Sequence, residues 1–154
     1  MPVKEYNMIT KNGMFAIAGR TNVGKSTLAN ALAGTKVAIV SDKPQTTRTR
    51  IMAIRNRGDC QFVFIDTPGL HKPVTRLGEY MNTVAADSVM DVDAVLLVVE
   101  PEPYVGKPES MLIERLKTRN IPAVLVINKI DTVPHERLLE VIGKYREAYD
   151  FADY

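Results

Sequence analysis

The sequence predicts an α/β fold: a three-layer sandwich in which a mostly parallel sheet, with one antiparallel strand, lies between helices. Three observations carry this. The runs AVLLVV at 94–99 and AVLVI at 123–127 are wholly apolar, the composition of strands covered on both faces. Segments with apolar residues at three- and four-residue spacing lie between such runs. A glycine-rich stretch, GRTNVGKST at 19–27, joins the first apolar run to the first helix.

The elements follow in order. Residues 1–12 form an arm leading into the fold, and residues 13–18 a short apolar strand. Residues 25–33 read as a helix with Leu28, Ala29 and Leu32 on one face and Gly34 as its stop. The stretch TKVAIVSDKPQTTRTR is part strand-like and part loop. Residues 51–54 and 61–65 are strands separated by a turn at Arg57-Gly58-Asp59, a hairpin and therefore the antiparallel pair. Residues 77–90 place Leu77, Met81, Val84 and Ser88 at helical spacing. Pro108 opens a helix through Met111, Leu112 and Leu116. Pro134 opens the last helix, with Leu138, Ile142, Tyr145 and Tyr149 on one side.

With 154 residues the chain suits one domain, and 45% hydrophobic with 25% charged residues is the balance of a globular protein. A single cysteine, Cys60, excludes an intrachain disulfide framework and reads as a core thiol in a reducing compartment. No run approaches the roughly 18 apolar residues of a membrane span, the first residues carry no apolar signal core, and nothing indicates membrane contact, so a cytoplasmic protein is expected. A net charge of +2 permits an anionic partner without demanding a nucleic acid.

In a parallel sheet the ligand meets the carboxyl ends of the strands. After the first strand stands Gly19-x-x-x-x-Gly24-Lys25-Ser26, the P-loop pattern. Its glycines let successive N–H groups converge on an anion, Lys25 adds a charge for β- and γ-phosphates, and the following helix adds its N-terminal dipole. Ser26 offers a hydroxyl to Mg²⁺. After the third strand stands Asp66-Thr67-Pro68-Gly69: the aspartate can hold Mg²⁺ through water, and the Gly69 N–H can meet a γ-phosphate. After the fifth comes Asn128-Lys129-Ile130-Asp131. A carboxylate here accepts both the N1–H and the 2-amino group of guanine, a pair adenine lacks, while the Lys129 stem lies along the base. The segment Gln45-Thr46-Thr47-Arg48 is polar and holds a threonine, as a loop that orders on the third phosphate requires.

With GRTNVGKS, QTTR, DTPG and NKID in this order, the sequence resembles the translation-factor-like GTPases, and SDKPQTTRTRI with DTPGLHKP resembles the Era family among them. The resemblance covers residues 12–154 and implies a P-loop NTPase fold with GTP or GDP, Mg²⁺ and potassium as ligands. By position it assigns the phosphates to Gly19, Arg20, Thr21, Asn22, Val23, Gly24, Lys25, Ser26 and Thr27, with Asp66, Thr67, Pro68 and Gly69 beside them. Ser26 and Thr47 ligate Mg²⁺, with Asp66 behind water; Asn22 helps to hold potassium; and Asn128, Lys129 and Asp131 form the guanine site. Lys25, Thr47, Gly69 and Asn22 are the residues implied in turnover. Thr21 stands where members of this family mostly have proline. Leu70 follows DTPG where many GTPases have a water-orienting glutamine, which implies slow intrinsic turnover. His71 is more simply an exposed loop histidine than a replacement base.

The family continues with another strand, a Ser-Ala loop against the guanine, a closing helix and a KH domain. The chain therefore reads as a G domain incomplete at its C-terminus and without a KH domain, lacking the last strand and helix, with residues 123–127 as a bare edge prone to association. The function implied is a GTP-hydrolysing switch that acts, in a full-length form, on small-subunit ribosomal RNA and the ribosome during subunit assembly. The alternative is a guanine-nucleotide-binding module that hydrolyses negligibly and docks to ribosomal RNA or protein. A plain RNA-binding protein is disfavoured: Lys43, Arg48, Arg50, Arg55 and Arg57 make a basic run, but no aromatic platform accompanies it.

Overall fold

The computed structural model describes residues 8–33, 50–66 and 91–154. Its strands are β1 (Lys11–Ala18), β2 (Arg50–Arg57), β3 (Cys60–Asp66), β4 (Ala94–Val99) and β5 (Ala123–Ile127). Its α-helices are α1 (Lys25–Ala33), α2 (Lys107–Arg119) and α3 (His135–Ala148). The strands form one sheet in the order β2-β3-β1-β4-β5. β1 lies at its centre, parallel to β3 on one side and to β4 on the other, and β5 is parallel to β4. β2 is the antiparallel member, paired with β3 across the turn at Gly58, whose φ of 61° is open to glycine. The segments 34–49 and 67–90, with the helix expected at 77–90, lie outside the described residues.

Alternation along the central strands sorts the core into two layers. Ala16 and Ala18 of β1, with Val95, Leu97 and Val99 of β4, face Leu112, Ile113 and Leu116 of α2 and Val141 and Tyr145 of α3. Ile17 and Val98 face the other way, onto Ala29 and Ala33 of α1. Both faces are covered, so a period-two polar face is missing from these strands and they read as unbroken apolar runs. The buried face of α1 is alanine, so this helix lies close against the sheet. Arg55 Nη1 donates to the Leu32 carbonyl at 3.0 Å and ties its last turn to β2.

α2 starts and stops where its sequence says it should. Pro108 falls in the first turn, where no amide donor is needed. Asn120 takes the left-handed conformation at φ 52°, and the Ile121 N–H closes the end on the Leu116 carbonyl at 3.0 Å.

Three expectations need correction. Cys60 is not a core thiol. It is half-exposed at the hairpin, its Sγ 3.5 Å from Asp59 Oδ1, because it opens β3 directly after the exposed turn at Gly58 and Asp59. The buried face of α3 centres on Val141 and Tyr145, with Leu138 and Ile142 only partly covered, so the helix is turned slightly from the face expected. The outer edge of β5 is not bare either. The Ala152 N–H donates to the Ala123 carbonyl at 2.8 Å and the Leu125 N–H to the Asp153 carbonyl at 3.0 Å, a parallel bridge along the first half of the strand. Phe151 anchors that segment: it is buried, with ring centroids 5.0 Å from Tyr149 and 6.4 Å from Tyr145. In addition, β1 begins at Lys11, two residues inside the expected arm, because Lys11 and Asn12 pair with Cys60 and Gln61.

Candidate functional site

The loop between β1 and α1 leaves the sheet at its carboxyl end, as the topology requires. Asn22 and Gly24 have φ of 65° and 99°. Asparagine tolerates the left-handed region; at 99° a side chain is strained, and glycine is the fitting residue. Such alternation of backbone hand turns successive N–H groups to one side, an anion nest at the N-terminus of α1. Lys25, the first residue of α1, curls back over the loop: its ammonium donates to the carbonyls of Gly19 at 2.9 Å and Arg20 at 2.8 Å. Burial lowers the pKa of this ammonium below the usual lysine range, and the charge of Asp66 opposes the shift. Ser26 and Thr27 are exposed on the first turn of α1, and Asp66 closes β3 beside β1, in register with Ile17.

The second wall of the site follows β5. The Asn128 N–H donates to the Val99 carbonyl at 2.9 Å, holding the ends of β4 and β5 together. Its side-chain Nδ2 donates to the Val23 carbonyl at 2.8 Å, which clamps this loop onto the glycine-rich one. The approach is so close that a Cβ on Gly24 would lie 2.1 Å from Asn128 Nδ2. Lys129 takes φ 57°, and its ammonium pairs with the Glu100 carboxylate at the end of β4. The turn continues as a short 3₁₀ segment, Ile130–Thr132, pinned by the Thr132 hydroxyl donating to the Lys129 carbonyl at 2.7 Å. Asp131 is exposed on that turn.

Residues 19–27, Asp66, Asn128, Lys129 and Asp131 therefore gather at one end of the sheet, although they are up to 112 positions apart in the chain (131 − 19). Thr47, Thr67, Pro68 and Gly69 lie outside the described residues, as do Gln45, Leu70 and His71. The donor set fits the groups expected of it. Backbone N–H donors and an ammonium suit phosphate, and a hydroxyl with a nearby carboxylate suits Mg²⁺. Among the described residues, no helix is long and apolar enough to cross a membrane.

Residues 14–129 match the family model described as 50S ribosome-binding GTPase. The chain belongs to that family. This GTPase-family chain is 50% identical over 143 residues to GTPase Era of Clostridium kluyveri, an alignment that covers 93% of this chain and 49% of that one. It superposes on a variant of Aquifex aeolicus Era bound to GDP·AlF4⁻ with a TM-score of 0.68 at 35% identity, over 93% of this chain and 50% of that one. An Era complex with MgGDPNP and nucleotides 1506–1542 of 16S ribosomal RNA gives the same four values. The chain is an Era homologue and spans about half the length of the curated relatives it matches.

Three neighbours of the GTPase loops were not singled out from the sequence. Glu109, on the first turn of α2, is 3% exposed and pairs with Arg20. Gly106 caps that helix, and Glu100 holds Lys129. An acidic residue after a proline reads as an ordinary helix start, and a glutamate ending an apolar run reads as a solvated strand end. Only their placement beside the loops singles them out.

Proposed function

We propose that this chain is a GTP-binding and GTP-hydrolysing switch domain of the Era type. The supporting observation is the clamp between Asn128 and the Val23 carbonyl, which joins the loop that reads the base to the loop that takes the phosphates. In this reading the backbone of residues 19–27 and the Lys25 ammonium take the phosphates, and Asp131 accepts the two guanine donors. Ser26 and Thr47 would hold Mg²⁺, with Asp66 behind water, and the ion would supply charge to neutralise the β- and γ-phosphates. The Gly69 N–H would meet the γ-phosphate, and Asn22 would help to hold a potassium ion, whose charge would offset that developing between β and γ. Leu70 orients no water, so turnover is slow without a partner. Era's complex with 16S ribosomal RNA extends the reading: in a full-length form the domain governs contact with small-subunit ribosomal RNA during assembly.

Calorimetry with GTP, GDP and ATP, followed by single-turnover phosphate release, tests the proposal. Guanine nucleotides bind and ATP does not; equal binding of ATP and GTP would sink the base assignment. Binding without release above the uncatalysed rate would leave the non-hydrolysing module, for which the apolar Leu70 speaks.

A further inference from the structure

We propose that Glu109 is a positioning residue for the phosphate loop, acting through Arg20; the inference rests on the nucleotide-binding reading above. Glu109 is the one buried charged side chain among the described residues, at 3% exposure. The Arg20 Nη2 donates to its Oε2 at 2.9 Å, and its Oε1 lies 2.5 Å from Arg20 Nε in the same ion pair. Arg20 belongs to the phosphate loop, and its own carbonyl accepts from the Lys25 ammonium at 2.8 Å. One residue thus connects a carboxylate anchored on α2 to the lysine that meets the phosphates. The guanidinium passes directly under the start of α2. A Cβ at Gly106 would lie 1.7 Å from Arg20 Nη2 and 2.6 Å from Glu109 Oε2, so the N-cap glycine leaves room for the pair.

Removing a carboxylate from water is costly, and an apolar pair of similar volume stabilises a fold as well or better. A planar guanidinium set against one carboxylate, with a hydrogen bond from Nη2, adds direction. With the Arg20 side chain fixed, its peptide cannot swing, and the carbonyl that receives Lys25 keeps its place. Tyr145 of α3 and Val23 of the loop line the same cavity, so the carboxylate end of the pair is buried among packed elements while the Arg20 side chain stays 40% exposed. A point charge in place of the planar group would permit rotation about the contact.

The experiment compares wild type, Glu109→Gln, Arg20→Lys and the double variant by calorimetry with GDP and with IDP, alongside thermal unfolding. Glu109→Gln keeps the shape and one acceptor but loses the charge; Arg20→Lys keeps the charge but loses the planar group. Each is expected to weaken GDP binding by about tenfold, the equivalent of one charge-assisted hydrogen bond, and the double variant no further. The ratio of GDP to IDP affinity reads the base site at Asp131, and it stays at the wild-type value. A purely structural pair predicts something else: a lower unfolding temperature with unchanged GDP affinity in the folded protein, and that result overturns the proposal. Additive losses in the double variant overturn it too. Should Glu109→Gln fail to fold, Arg20→Lys decides alone by the same two ratios. A wild-type chain that binds no GDP overturns the nucleotide reading, and this inference with it.

Discussion

Gly24→Ala strains the site at the point where its two loops touch. The backbone there holds φ 99°, which a side chain tolerates only at a cost of about 1–3 kcal/mol. The added methyl would also stand 2.1 Å from Asn128 Nδ2, well inside contact distance. Asn128 must move away, and its 2.8 Å bond to the Val23 carbonyl goes with it, a further ~0.5–1.5 kcal/mol. Together the variant loses about 2–4 kcal/mol of stability, or on the order of 10 °C in unfolding temperature for a chain of this size. Urea unfolding of four proteins resolves the two contributions: wild type, Gly24→Ala, Asn128→Ala and the double variant. Without the Asn128 side chain the collision disappears and only the backbone strain remains. Gly24→Ala should therefore cost about 1 kcal/mol less in the Asn128→Ala background. Equal costs in both backgrounds, or no loss in either, would show that the loops do not meet as described.

Further outcomes follow from the same geometry. Lys25→Ala removes a charge-assisted contact to phosphate worth ~1.5–3 kcal/mol, so GTP affinity measured by calorimetry falls about 10- to 200-fold in a folded protein. Asp131→Asn exchanges an acceptor for a donor and shifts preference from guanine to xanthine, with GTP affinity about a hundredfold lower from two lost contacts; competition among GTP, ATP and XTP reads the change, and a retained guanine preference would count against Asp131. Turnover runs faster in potassium than in sodium at matched ionic strength, and equal rates would remove Asn22 from ion binding. The Tyr145 phenol is raised above its ordinary value chiefly by burial, with the Glu109 carboxylate adding to the shift. The unfolded chain then loses this proton near pH ~10 while the folded chain keeps it, so stability falls as pH rises above that value. Tyr145→Phe should flatten the fall in urea midpoints between pH 9 and 11; an unchanged slope assigns the alkaline loss elsewhere.

The strand runs at 94–99 and 123–127, the hairpin about Gly58 and the helix after GRTNVG are all legible in the sequence, because each depends on local pattern. Apolar runs need two covers, a left-handed turn needs glycine, and a phosphate loop needs small residues at fixed spacing. The same holds for the residue types of the site, since Gly24, Lys25, Asp66 and Asp131 each stand at the end of a recognisable strand or loop.

Other features depended on which surfaces come together, and no short window of sequence contains that. Cys60 leads into the apolar residues Phe62 and Val63, yet it lies half-exposed beside the hairpin turn, paired with Arg57. Phe151 and Asp153 belong to no helix or strand pattern in the sequence, and only the packing of the aromatic ring against Tyr145 and Tyr149 lays this backbone along β5. Asn128 reads as part of a base-recognition motif, but its side chain grips the Val23 carbonyl, 105 residues earlier. Glu109 looks like a solvated helix start until the fold sets Arg20 against it and Gly106 leaves the space. The motif residues alone pointed to phosphate and guanine chemistry, because spacing along a backbone dictates which donors can converge. The bracing of those donors was decided by tertiary packing, since a buried charge or a bare carbonyl finds its partner only once distant segments are pressed together.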